Sequence, residues 1–192
     1  METITYTVKI EGFSPLVMNS NAFLLLPRGE QDKGRDPAEY EREHFLDKCY
    51  RSPDSKGLVI PARCIKKAFV EACKFLPEKP KGVSFKSFAP FIQSAAIFTE
   101  DALLDVPIEK VIPLTLVVNL DPSKGSKGPR GPRTRPAIQP PWNAETTIKV
   151  FDPILKKDVL QRIADRAGTQ VGLLDGRSID FGRCVITIGG GR

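Results

Sequence analysis

The sequence predicts an α+β protein, an antiparallel sheet with two main helices, and three observations carry that prediction. Residues 3 to 11 alternate strictly between polar and apolar, two later stretches repeat apolar residues at helical spacing, and short β-branched runs lie around and between them. With 192 residues, 41% apolar and 8% aromatic, the chain can bury a core, which argues against disorder throughout and fits a single domain spanning 1–192.

In the first predicted strand Ile4, Tyr6, Val8 and Ile10 share one face, and Thr3, Thr5, Thr7, Lys9 and Glu11 share the other. GFSPLVMNSNAFLLLPRGEQDKG has no single period and reads as an irregular connection into an insertion over about 22–57. Inside it, Asp36 as N-cap, Pro37 at the first helical position and Glu39 at the third predict a helix over 37–50. Leu58 to Ile60 reads as a short strand running into a helix opened by Pro61. Its Ile65, Phe69, Ala72 and Leu76 face the core, and Pro77 and Pro80 stop it. Strands are predicted over 91–98 and 112–120, the second apolar enough to be central. A long basic loop over about 121–142 follows. A strand resumes from Thr146 to Phe151. Leu155, Val159, Leu160, Ile163 and Ala167 then mark a helix that Gly168 is placed to cap, and Arg183 to Ile188 form a last strand. Strand, helix, strand, strand, helix, strand is the split β-α-β-β-α-β plan of ferredoxin-like, RRM-like folds.

The charge is local. Lys and Arg number 29 against 23 Asp and Glu, a net +6, while SKGSKGPRGPRTRPAIQPPW alone carries Lys124, Lys127, Arg130, Arg133 and Arg135 with no acid. Basic side chains dispersed by Gly and Pro along an extended chain suit a nucleic-acid backbone. The stretch ends on Trp142, the one tryptophan, which is either a stacking plate for bases or a buried residue beneath a solvated hairpin tip. In GLLDGRSIDFGR, Gly172, Gly176 and Gly182 flank Arg177 and Arg183. Amides and guanidiniums there could meet a phosphate, or the glycines could serve a tight turn, and the two readings are compatible.

Catalysis finds little support. His44 is the one histidine and lies within a helical pattern, and neither G-x-S-x-G nor H-E-x-x-H nor a Walker loop occurs. Asp32 and Asp36 remain as weak candidates for cleaving a phosphodiester, Asp36 being already explained as a cap. Cys49, Cys64, Cys73 and Cys184 lie scattered and, with His44, match no zinc spacing, so reduced and buried thiols are expected, with no metal and no cofactor. METITYTVKI lacks a basic stretch followed by an apolar core, and no apolar run is long enough for a membrane span, so a cytoplasmic protein is expected.

The strand-to-helix passage IPARCIKKAF (60–69) and the glycine-rich VGLLDGRSIDFGRCVI (171–186), together with this plan, resemble the RAMP superfamily. These are RRM-like proteins that form the backbone of CRISPR effector complexes. The whole chain is also similar to uncharacterised phage and prophage proteins in EGFSPLVMNSN (11–21), RTRPAIQPPW (133–142) and the final VGLLDGR and FGR. The RAMP resemblance implies a ferredoxin-like palm, a thumb-like hairpin holding Lys124 to Arg135, and subunits stacked along single-stranded guide RNA. It also implies that Arg177 and Arg183 in the glycine-rich loop, and Arg63, Lys66 and Lys67 on a helix face, lie near that strand.

The expectation is a non-enzymatic protein that grips single-stranded nucleic acid, RNA foremost, and works as a homo-oligomer or in a multi-subunit ribonucleoprotein. Two alternatives stay open. One is a metal-assisted nuclease of the same architecture, and the other a phage adaptor or inhibitor that docks its basic loop on a host complex.

Overall fold

Alternation in ITYTVKIEG buries Tyr6, Val8 and Ile10 on one side of a nine-residue strand, and the rest of the architecture is built against that side. A computed structural model describes residues 3–20, 34–54, 57–121, 123 and 127–191. In chain order the elements are β1 (Ile4–Gly12), β2 (Leu16–Val17), α1 (Pro37–Glu43), β3 (Val59–Ile60), α2 (Ala62–Ala72), α3 (Ala89–Ala95) and β4 (Ala96–Phe98). They continue with β5 (Ala102–Leu104), β6 (Ile112–Asn119), β7 (Arg130–Ile138), β8 (Trp142–Val150), α4 (Lys157–Arg166) and β9 (Cys184–Gly191).

The main sheet runs β3-β5-β8-β1-β9, with β4 also paired to β8, and every pairing is antiparallel. β1 lies between β8 (Ile4 opposite Val150, Gly12 opposite Trp142) and β9 (Gly12 opposite Cys184). The outer strands are joined to the central pair by α2 and α4, which gives the ferredoxin-like plan. Both helices cover the same sheet face. Ile65, Phe69 and Ala72 of α2 and Val159, Leu160 and Ile163 of α4 share one core with Val8, Ile10, Ile148 and Ile186. Each such side chain contributes about 1.5–3 kcal/mol by leaving water. Phe69 and Phe98 add an edge-to-face contact with ring centroids 5.1 Å apart.

Several expectations need correction. The helix placed over 37–50 is two pieces, α1 and a 3-10 turn Phe45–Lys48, because the backbone departs from helical geometry at His44, which stacks on Tyr40. Residues 91–98 are not one strand. Pro90 starts α3 there, Phe91 and Ile92 turn inward, and only Ala96–Phe98 extends; a short apolar run fits either period. β5 had no sequence signal beyond three residues, and β8 starts four residues earlier than expected, at Trp142.

The strand expected to be central, 112–120, is instead the edge of a second sheet, β2-β7-β6, with Val117 70% exposed. Its partner β7 occupies much of the stretch read as a loop. Gly168 does not cap α4. The helix runs on through a π turn, Ala167–Val171, to Gly172 at φ 80, and Gly168 lies where any Cβ would overlap the Cys184 carbonyl.

Candidate nucleic-acid interface

Thr134 shows how β7 is held on both of its edges. On one edge β7 pairs with β6, and on the other the groups of Thr134 are met by two side chains from the helical segment. Its N–H donates to Glu41 Oε2 (3.1 Å), and its C=O accepts from Lys48 Nζ (2.9 Å). Glu41 and Lys48 are themselves ion-paired at 3.1 Å, and Lys48 is 4% exposed. This pair acts as a substitute strand, continuing the ladder that Met18 N–H begins at the Pro136 C=O. Burial pushes the Lys48 ammonium below the usual lysine range, Glu41 pulls it back up, and Arg135 and Arg133 lower it further. α1 and its following turn therefore brace the β6–β7 hairpin. A seven-residue spacing, which puts Glu41 and Lys48 on one helical face, is the only sequence trace of this.

The glycine-rich segment closes against the hairpin. Gly172, Gly176 and Gly182 all have positive φ, and so do Leu174 (φ 59) and Asp180 (φ 64). A bulky residue held there costs on the order of 1–2 kcal/mol. The loop is over-determined by its own bonds: Leu173 N–H to Gly182 C=O at 2.9 Å, Gly182 N–H to Pro15 C=O at 2.8 Å, and Asp175 N–H to Val17 C=O at 3.1 Å. Gly176 N–H donates to Asp175 Oδ1 at 2.8 Å. The amides of Gly176 and Gly182, considered above as phosphate donors, are thus used internally. These two glycines serve the backbone conformation.

Between hairpin and loop lies an open cleft of about 970 Å³. Arg130 and Arg135 reach it from β7, and Arg177 and Arg183 from the loop, so the two basic segments meet in one place. Three of the four guanidiniums are already engaged. Arg135 pairs with Asp175, Arg177 Nη1 with Glu71 Oε2 at 2.9 Å, and Arg183 Nη2 with Asp180 Oδ1 at 3.0 Å. Arg183 Nη1 is buried with no hydrogen-bond acceptor among the described residues. Arg130 is exposed. Phe75, Leu116, Val171 and Ile179 supply apolar wall.

The other expected residues divide. Arg133 points away from the cleft to Glu41, at 3.2 Å. Lys127 is exposed, and Lys124 and Asp32 lie outside the described residues. Arg63 and Lys67 are exposed on α2, whereas Lys66 donates to the Gln93 C=O at 2.9 Å. Burial pushes the Cys64 thiol up, while Arg63, Lys67 and Arg177 pull it down.

Trp142 is a correction: it is fully buried. Its Nε1 donates to the Ser14 C=O at 2.8 Å, and its ring lies where a Cβ on Gly12 would be. A ring so covered cannot stack on a base. Asp36 caps α1, accepting from Ala38 N–H at 3.0 Å. Among the described residues no three His, Cys, Asp or Glu side chains are grouped to hold a metal, and no helix is long and apolar enough to cross a membrane.

No protein-family model and no curated protein sequence matches the chain. Solved structures do. Cmr-beta, a type III-B assembly solved by cryo-EM bound to cognate target RNA, contains a chain matched over 100% of this one and 60% of its own length, with TM-score 0.58 and 14% identity. Cmr6 from Pyrococcus furiosus, a crystal structure, is matched over 96% of this chain and 99% of its own, with TM-score 0.52 and 11% identity. The fold is shared with these two chains. This chain therefore spans 60% of the length of the Cmr-beta chain it matches.

Proposed function

We propose that this protein binds single-stranded RNA along its phosphate backbone as part of a multi-subunit ribonucleoprotein of the CRISPR type. The observation that carries this is the cleft in which Arg130, Arg135, Arg177 and Arg183 converge, with Arg130 exposed. The Asp175, Glu71 and Asp180 partners hold the arginines in place. Each guanidinium has five N–H groups, so donors remain for a ligand. The fold, shared with a chain of an assembly solved bound to target RNA, supports RNA over DNA.

The test is fluorescence anisotropy with labelled single-stranded RNA across a salt series. Affinity should fall with salt, at a slope of about 0.7 per phosphate neutralised. Arg130→Ala, which breaks no internal ion pair among the described residues, should weaken all sequences alike and lower that slope by about 0.7. Salt-independent binding, or an Arg130→Ala protein that binds as the parent does, would refute the proposal.

A further inference from the structure

β6 is an open strand edge. Leu120 N–H donates to Pro129 C=O at 2.8 Å, so in the β6–β7 ladder the even-numbered residues of β6 point their backbone groups at β7. The odd-numbered residues, Pro113, Thr115 and Val117 among them, point outward. Among the described residues, the outward N–H and C=O of Thr115 and Val117 meet no partner.

Two other edges of the molecule are closed by side chains. Glu41 and Lys48 satisfy Thr134 on the far side of β7. On β9, Gln161 of α4 plays the same part: its Nε2 donates to the Ile186 C=O at 2.8 Å, and its Oε1 accepts from Ile188 N–H at 2.8 Å. A primary amide that answers one C=O and one N–H of a strand blocks a further strand from pairing there. Among the described residues, β6 has no such plug. Its one deterrent is Pro113, near its start: Ile112–Asn119 contains no charged residue, and Val117 and Ile112 are 70% and 40% exposed.

The sequence of that edge suits a copy of itself. In an antiparallel pairing about a twofold axis at Leu116, Leu116 faces Leu116, Leu114 faces Val118 and Thr115 faces Val117. Every such pair is apolar or β-branched, with no like charges opposed. In the same register the outward groups of Thr115 meet those of Val117 and exchange hydrogen bonds in both directions. A one-residue slip would spoil this by setting inward-pointing groups against outward ones.

We propose that a second copy of this chain docks on β6, forming a symmetric dimer through an antiparallel β6–β6 seam that joins two three-stranded sheets into one. The seam would place two arginine clefts side by side, because Leu116, Val117 and Val118 line the cleft as well as the edge.

The dimer is tested without nucleic acid, so its failure is separate from failure of RNA binding. The full-length protein should sediment at twice the monomer mass in the micromolar range, and Val117→Lys, at an exposed position, should return it to monomer with an unchanged circular dichroism spectrum. Leu116→Cys in a Cys64→Ser background should oxidise to a covalent dimer, since a non-hydrogen-bonded pair sets Cα atoms about 4.5 Å apart, within disulfide reach. The other native cysteines are buried. Leu114→Cys, offset from its own copy, should stay monomeric on a denaturing gel. A monomeric parent protein would overturn the proposal, and so would a dimer that survives Val117→Lys and leaves Leu116→Cys uncrosslinked.

Discussion

Removing the Glu41 carboxylate should cost more than any surface charge. In Glu41→Ala, Lys48 stays 4% exposed without the carboxylate that met it at 3.1 Å, Thr134 N–H loses its acceptor and Arg133 its partner. Removing one half of a buried pair costs about 3–5 kcal/mol, because the surviving charge keeps its desolvation penalty. The pH dependence follows in sign. Lys48 is already below its ordinary value of 10.5 through burial, and without Glu41 it falls further. Between the lowered folded value and 10.5 the unfolded chain binds more protons than the folded one, so the variant gains stability as pH rises through that window. Urea unfolding of both proteins should therefore show a gap of about 3–5 kcal/mol near neutrality that narrows toward alkaline pH. Glu41→Leu with Lys48→Met should not regain the loss: an apolar pair carries no desolvation cost of its own, but it leaves the buried N–H and C=O of Thr134 without partners. A loss under about 1 kcal/mol, the scale of an exposed pair, would refute the reasoning that this network braces the hairpin.

Trp142→Ala should destabilise by about 3–5 kcal/mol, and in the parent protein Trp142 fluorescence should be unquenched by RNA, as titration would show; strong quenching would contradict its burial. Gly182→Ala places a Cβ against the Leu173 carbonyl at φ +70 and should disrupt the loop, lowering the thermal midpoint and RNA affinity together. Burial raises the Cys73 and Cys184 thiols to about 12 and Cys49 to about 11. A disulfide reagent should therefore modify Cys64 first in the folded protein, as peptide mapping would show. The linked stability change has the opposite sign to that of Lys48. Above the ordinary thiol value of 9.0 the unfolded thiols ionise while the folded ones do not, so the folded state should lose stability between 9.0 and about 12.

Periodicity made the palm legible. Ile4 to Glu11, the Ile65, Phe69 and Ala72 stripe and the Val159, Leu160 and Ile163 stripe each declare their buried face within a dozen residues, and the tertiary fold keeps those faces. The same local reasoning misjudged 91–98, where the apolar residues satisfy either period, and 112–120, where apolarity signals an exposed edge as readily as a central position.

Charge pattern located the two basic segments that share the cleft, but not what their side chains do there. Arg133, Arg177 and Arg135 meet acids 92, 106 and 40 residues away in sequence, and no local signal encodes such distances. From sequence alone came the order of elements, their inward faces, the glycine punctuation and the local concentration of positive charge, because each depends on neighbours along the chain. Only the tertiary structure decided that Trp142 is core, that three cleft guanidiniums are held by acids, and that two strand edges are plugged while β6 is open. Those outcomes depend on which distant segments are brought into contact, and contact decides whether a charge, an indole or a backbone N–H is free to meet anything else.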